Sequence, residues 1–113
     1  MTWIITYHDD AVQEEILAMP LGVLARYLRY SDRMEVYGPD LGMPHTRAMG
    51  DGLFELRLKS VEGIARVFYS TIIGHRIVML HQFTKKSEKT PPKELATAKR
   101  RMKEFKNAHS QRT

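Results

Sequence analysis

Residues 54 to 83 constrain the fold more than any other stretch. Phe54, Leu56 and Leu58 alternate with Glu55, Arg57 and Lys59, the period of a strand with one apolar face and one polar face. Two more β-rich runs follow at 64–70 and 76–83, entered through turns at Gly63 and Gly74. That spacing predicts a three-strand antiparallel meander.

The flanking segments read as its cover. Residues 2–7, aromatic and β-branched, predict a strand, and Asp9 or Asp10 is placed to cap a helix carrying Val12, Ile16 and Leu17. After Pro20 a second helix presents Leu21, Leu24 and Leu28 as an apolar stripe, with Val23 and Tyr27 beside it. Residues 38–52 are punctuated by glycine and proline and read as a loop. Thr90 is suited to cap the last helix and Pro91 to open it, before an apolar stripe of Leu95, Ala98, Met102 and Phe105. The expected architecture is α+β, one domain over residues 1–113. A small antiparallel sheet carries two N-terminal helices on one face, and a basic helix ends the chain.

Composition narrows the chemistry. The chain has 113 residues and no cysteine, which leaves out disulfides, thiolate nucleophiles and cysteine-bound metals. His8, His45, His75 and His109 show no metal spacing, and no metal or cofactor is expected. No apolar run approaches ~18 residues and no signal-like start is present, so a cytoplasmic protein without membrane contact is expected. The net charge of +5 is uneven: from residue 84 onward ten Lys or Arg face three Glu, a net +7, leaving −2 for residues 1–83. A polyanion such as nucleic acid, or an acidic protein, suits that end.

Side chains two apart on a strand share a face, which groups Arg57 with Lys59, Arg66 with Phe68, and Phe83 with His81 and Lys85. Aligned strands would collect guanidinium, imidazole, ammonium and aromatic groups on one surface, a set suited to phosphate and an unpaired base. Arg66 stands out because a charge within the apolar run 64–69 is costly unless it reaches water or a partner. Each residue also has a plainer role open to it. Arg57 can pair with Glu55 or Glu62, Arg66 with a helix acid, and His81 with a surface hydrogen-bond partner. Lys85 and Lys86 can guard an edge strand, and Phe83 can belong to the core. His45, in the glycine-rich loop, is able to bend toward the site.

Three segments carry a family resemblance: Gly-Asp-Gly-Leu-Phe-Glu-Leu-Arg (50–57), Ala-Arg-Val-Phe-Tyr (65–69) and Leu-His-Gln-Phe-Thr-Lys-Lys-Ser-Glu-Lys-Thr-Pro (80–91), the last followed by the Ala-Lys-Arg-Arg helix. They resemble the phage-derived branch of the RelE/ParE superfamily, which includes HigB-type toxins of type II toxin–antitoxin pairs. The resemblance implies a RelE-like fold and cleavage of messenger RNA on the ribosome. It also implies a cognate antitoxin of the helix-turn-helix, DNA-binding kind. It places Arg57 where RelE-type toxins carry a catalytic lysine, Arg66 at the arginine that binds the scissile phosphate, and Lys86, with Lys85 beside it, at a second catalytic arginine. The tyrosine early in the family's last helix has no counterpart, since Pro92 falls near that position; His81 or a lysine would then take its role.

Chemistry supports that assignment. Metal-free RNA cleavage needs a base for the 2′-hydroxyl, cations for the phosphorane and an acid for the leaving oxygen. Arg57 and Arg66 would supply charge, and His81, Lys85 and Lys86 the proton transfers. Lys59, Phe83 and Lys89 would hold the RNA. Two rivals remain: a ParE-like toxin that grips nucleic acid or gyrase without chemistry, and a subunit whose basic helix docks an acidic partner.

Overall fold

Apolar periodicity builds a sheet with a core on each side. The computed structural model describes residues 2–72, 74–85 and 89–110. In chain order the elements are β1 (Ile4–Tyr7), α1 (Asp10–Leu17), α2 (Leu21–Tyr37), β2 (Thr46–Gly50), β3 (Leu53–Ser60), β4 (Gly63–Thr71), β5 (Arg76–Lys85) and α3 (Pro92–Ser110). They form one sheet in the order β1-β5-β4-β3-β2. The meander β3-β4-β5 lies at its centre, as the alternation implies.

Three differences from the sequence expectation concern the sheet's edges and a helix end. The sheet is mixed, because β1 pairs parallel with β5; α1 and α2 carry the chain across one face before it re-enters at the far edge. The segment expected to be wholly loop contains β2, which pairs with β3. Its Thr-Arg-Ala-Met-Gly sequence has no alternation to announce a strand. Thr90 is not the cap of α3: its hydroxyl donates to Glu55 Oε2 at 2.9 Å, and the Pro91 carbonyl accepts from Glu94 and Leu95 at the helix start.

On one face, α1 lies over β1 and β5 while α2 lies over β3. Val12, Ile16, Val23, Tyr27 and Met34 pack there on Leu56, Leu58, Val67, Tyr69, Ile77 and Met79. The buried stripe of α2 is thus Val23, Tyr27, Tyr30 and Met34; of the leucines, Leu24 packs partly buried against this core while Leu21 and Leu28 are exposed. Aromatic bulk decides the rotation, since the Tyr27 hydroxyl is met by the Tyr7 hydroxyl at 2.9 Å and its phenol can be buried without losing a partner. Burial, aided by that contact, pushes the Tyr27 pKa well above its usual range. α1 begins as expected, with Asp9 accepting from the Val12 amide at 2.9 Å.

The opposite face is covered by α3, whose Leu95, Ala98, Met102 and Phe105 meet Leu53, Phe68, Val78, Leu80 and Phe83. A β-bulge adjusts this face. Phe68 pairs with His81 while Tyr69 pairs with Met79, so Leu80 is the extra residue on β5. The bulge lets Leu80 and His81, neighbours in sequence, both turn toward α3: Leu80 enters the second core and His81 bonds to helix side chains.

Candidate functional site

The meander's register decides which charges meet. Arg57 is paired with Arg66, and Arg66 with Phe83, so the three side chains leave one face of the sheet in a single row. The row beside it is Glu55, Phe68 and His81, and the row on the other side is Lys59, Ile64 and Lys85. All the strand residues expected to share a face therefore do so.

Sharing a face does not make them one site, because α3 covers only part of it. The strand β2 pairs with β3 no further than Thr46 opposite Leu56. Beyond that point no strand pairs with β3 on this side, and there Arg57 is half-buried and Lys59 exposed. A cleft of about 650 Å³ opens here, lined by Arg26 and Tyr30 of α2, Pro44 and His45 of the preceding loop, Arg57 and Lys59 of β3, the Ser60–Val61 turn, and Ile64 and Arg66 of β4. Four of these side chains are cationic at neutral pH and none is a carboxylate. An anion is the ligand such a wall attracts.

Arg66 forms the buried part of the wall at 5% exposure. Its Nε lies 3.7 Å from Glu55 Oε1, and its NH1 group donates to the Ala65 carbonyl at 3.2 Å. Glu55, an acid on the neighbouring strand, is thus an ion-pair partner of Arg66. Arg57 is tied to the loop instead: its backbone N–H donates to the His45 carbonyl at 2.8 Å. That bond sets the His45 ring near the cleft, and the ring packs on Tyr30 with centroids 4.8 Å apart.

The other expected site residues fall elsewhere. His81 lies under α3 with its side chain 12% exposed, Nε2 facing Glu94 Oε1 at 3.2 Å and Nδ1 facing the Arg101 NH1 group at 3.2 Å. Guanidinium only donates, so Nδ1 accepts and the ring proton resides on Nε2, directed at Glu94. Phe83 is a core residue, 6% exposed and stacked on Phe68, because α3 closes over it; no nucleobase reaches its ring in this arrangement. Lys85 is buried opposite Ile64 and does not line the cleft, and Lys89 is exposed beyond β5. Lys86 lies outside the described residues.

Arg26, Tyr30 and the full part played by His45 escaped the sequence reading. Arg26 stands on a helix more than thirty positions from β4 and follows no motif, so only the packing of α2 brings it in. The one signal for His45 was its place in a glycine- and proline-rich loop shortly before β3. Among the described residues no group of three or more His, Asp or Glu is arranged to hold a metal ion, and no helix is long and apolar enough to cross a membrane.

Comparison with known proteins places this arrangement in a family. No curated protein matches the sequence. Among solved structures, the fold is similar to a chain of the archaeal RelE-RelB complex from Pyrococcus horikoshii OT3, with a TM-score of 0.50, 20% identity, and coverage of 74% of this chain and 96% of that one. At that identity the likeness speaks for the fold. The sequence itself matches the model of the phage-derived Gp49-like proteins (DUF891) over residues 14–103, a span that includes every residue lining the cleft. With its RelE-like α+β fold, the chain belongs to the phage-derived Gp49-like family, a RelE/HigB-type toxin family.

Proposed function

We propose that the cleft binds a single-stranded stretch of messenger RNA on the ribosome and cleaves it without a metal, as a toxin held in check by a cognate antitoxin. The observation that carries this reading is the facing pair Arg57 and Arg66 on the wall of a cleft whose lining holds no carboxylate. In the reaction the 2′-oxygen attacks the adjacent phosphorus, forming the O2′–P bond and breaking the bond from phosphorus to the 5′-oxygen. The products carry a cyclic phosphate and a free 5′-hydroxyl. Negative charge grows on the non-bridging oxygens between ground state and phosphorane, and two guanidinium groups on facing strand positions favour that state over the substrate.

Removal of the 2′-hydroxyl proton is assigned to His45, which lines the cleft, in preference to His81, whose two ring nitrogens are engaged by Arg101 and Glu94; the leaving 5′-oxygen, on the far side of the phosphorus, takes its proton from solvent water. Lys59 and Arg26 hold flanking phosphates as point charge and fork. The antitoxin is suggested by the RelE-RelB complex to which the fold is similar.

Expression of the chain alone should arrest growth, and primer extension on messages from arrested cells should find cuts within translated codons. Arg57→Ala should restore growth. Arrest without cuts would favour a non-catalytic, ParE-like toxin; absence of arrest would remove both readings.

A further inference from the structure

Glu55 takes no part in the proposed cleavage, yet it is buried beside the cleft's arginines. A carboxylate behind a cation-lined cleft opposes anion binding, and burying it is costly unless a charge and hydrogen bonds compensate. Yet Glu55 is 2% exposed and shares a strand face with Arg57, two residues away. It is engaged from two sides. Oε1 stands 3.7 Å from Arg66 Nε, and Oε2 accepts the Thr90 hydroxyl at 2.9 Å. Three parts of the fold, β3, β4 and the approach to α3, meet on this one group.

The consequence falls on Arg66. An arginine has four rotatable side-chain bonds, and a guanidinium 1 Å out of place forfeits much of its effect on a transition state. Arg57, directly opposite, repels the Arg66 head group, while Glu55, one row along, attracts its Nε edge. Repulsion from one side and attraction from the other both bear on where that head group sits. At 3.7 Å the contact is an ion pair, not a hydrogen bond, so it acts on the head group through charge.

We infer that Glu55 is a positioning residue that aims the Arg66 guanidinium at a bound phosphate, and that Thr90 holds the Glu55 carboxylate in the orientation this requires. The inference rests on the reading that the cleft takes an RNA phosphate.

The test uses the full-length protein, with Glu55→Gln and Thr90→Val alone and in an Arg66→Lys background. Cleavage is measured in a reconstituted translation reaction, and the Arg66 Nε–Hε signal is followed by 15N NMR and identified by its loss in Arg66→Lys. Glu55→Gln should lower kcat by about 10–100-fold, the scale on which supporting residues act, with KM within about threefold and no further loss in Arg66→Lys. It should also move the Arg66 Nε signal, and Thr90→Val should move it in the same direction. A loss of equal size in the Arg66→Lys background, or an unmoved signal, would mean that Glu55 serves stability alone and would overturn the inference. If Glu55→Gln does not fold, Thr90→Val decides by the same two readouts. If the wild type cleaves nothing, the nuclease reading fails, and the Nε signal alone decides whether Glu55 sets Arg66.

Discussion

Arg57 on β3 and Arg66 on β4 face each other directly across the antiparallel ladder, two guanidinium groups on one side of one sheet. Like charges so placed cost a fraction of a kcal/mol to about 1 kcal/mol. Glu55 offsets Arg66 from one side, and Arg57 turns toward a cleft without a carboxylate in its lining. The pair is an arrangement that an anion between the two strands would complete, and its two members should respond differently to removal.

Arg57→Ala removes a half-buried cation whose neighbour has the same sign. Cleavage should fall by about 10²–10³-fold, the effect of deleting one group that stabilises transition-state charge. Thermal stability should hold steady or rise. Single-turnover kinetics and a melting curve on the same preparation check both halves.

Arg66→Ala should unfold more easily, because it leaves Glu55 buried without its opposite charge. A loss of about 3–5 kcal/mol is expected for breaking one side of a buried pair. Adding Glu55→Leu should return most of it, since the orphaned carboxylate is then gone. Urea unfolding of the two variants measures the difference, and a double variant no more stable than the single one would show that the pair does not carry the loss.

Phe83 lies in the core under α3, stacked on Phe68. Phe83→Ala should therefore cost about 3–5 kcal/mol of stability through the cavity it leaves. Phe83→Leu should bind an RNA oligonucleotide as the wild type does. A stacking role for the ring would instead weaken binding by about 1–3 kcal/mol, which fluorescence titration would detect.

Asp9 caps α1, and the Val12 amide it accepts holds its carboxyl below the ordinary value of 3.8. Because the folded pKa is depressed, the contribution is complete above 3.8 and disappears as pH falls through the lower folded value. Asp9→Ala should cost about 1 kcal/mol at neutral pH. The gap between wild type and variant should close in acid, whereas Asp9→Asn should keep its cap throughout; chemical unfolding across a pH series reads both.

What the chain's own order of residues determined is everything that depends on near neighbours. The two-residue period from Phe54 to Lys59 made β3, and the same period put Arg57 beside Lys59 and Arg66 beside Phe68 whatever strand lay alongside. The stripe Leu95, Ala98, Met102 and Phe105 did the same for α3. These signals are local because side-chain direction repeats with backbone geometry. Tertiary structure decided the rest. The turn of α2 that buries Tyr27 in place of Leu28, the bulge at Leu80 and the parallel pairing of β1 arise from contacts between segments far apart in sequence. The site follows the same division. Its cations were legible on their strands, but α3 withdrew Phe83 and His81 from solvent, while α2 and the loop before β2 brought Arg26 and His45 to the cleft. A strand's periodicity fixes which side a residue faces; only the packing of helices on that side determines whether it meets water, a ligand or the core.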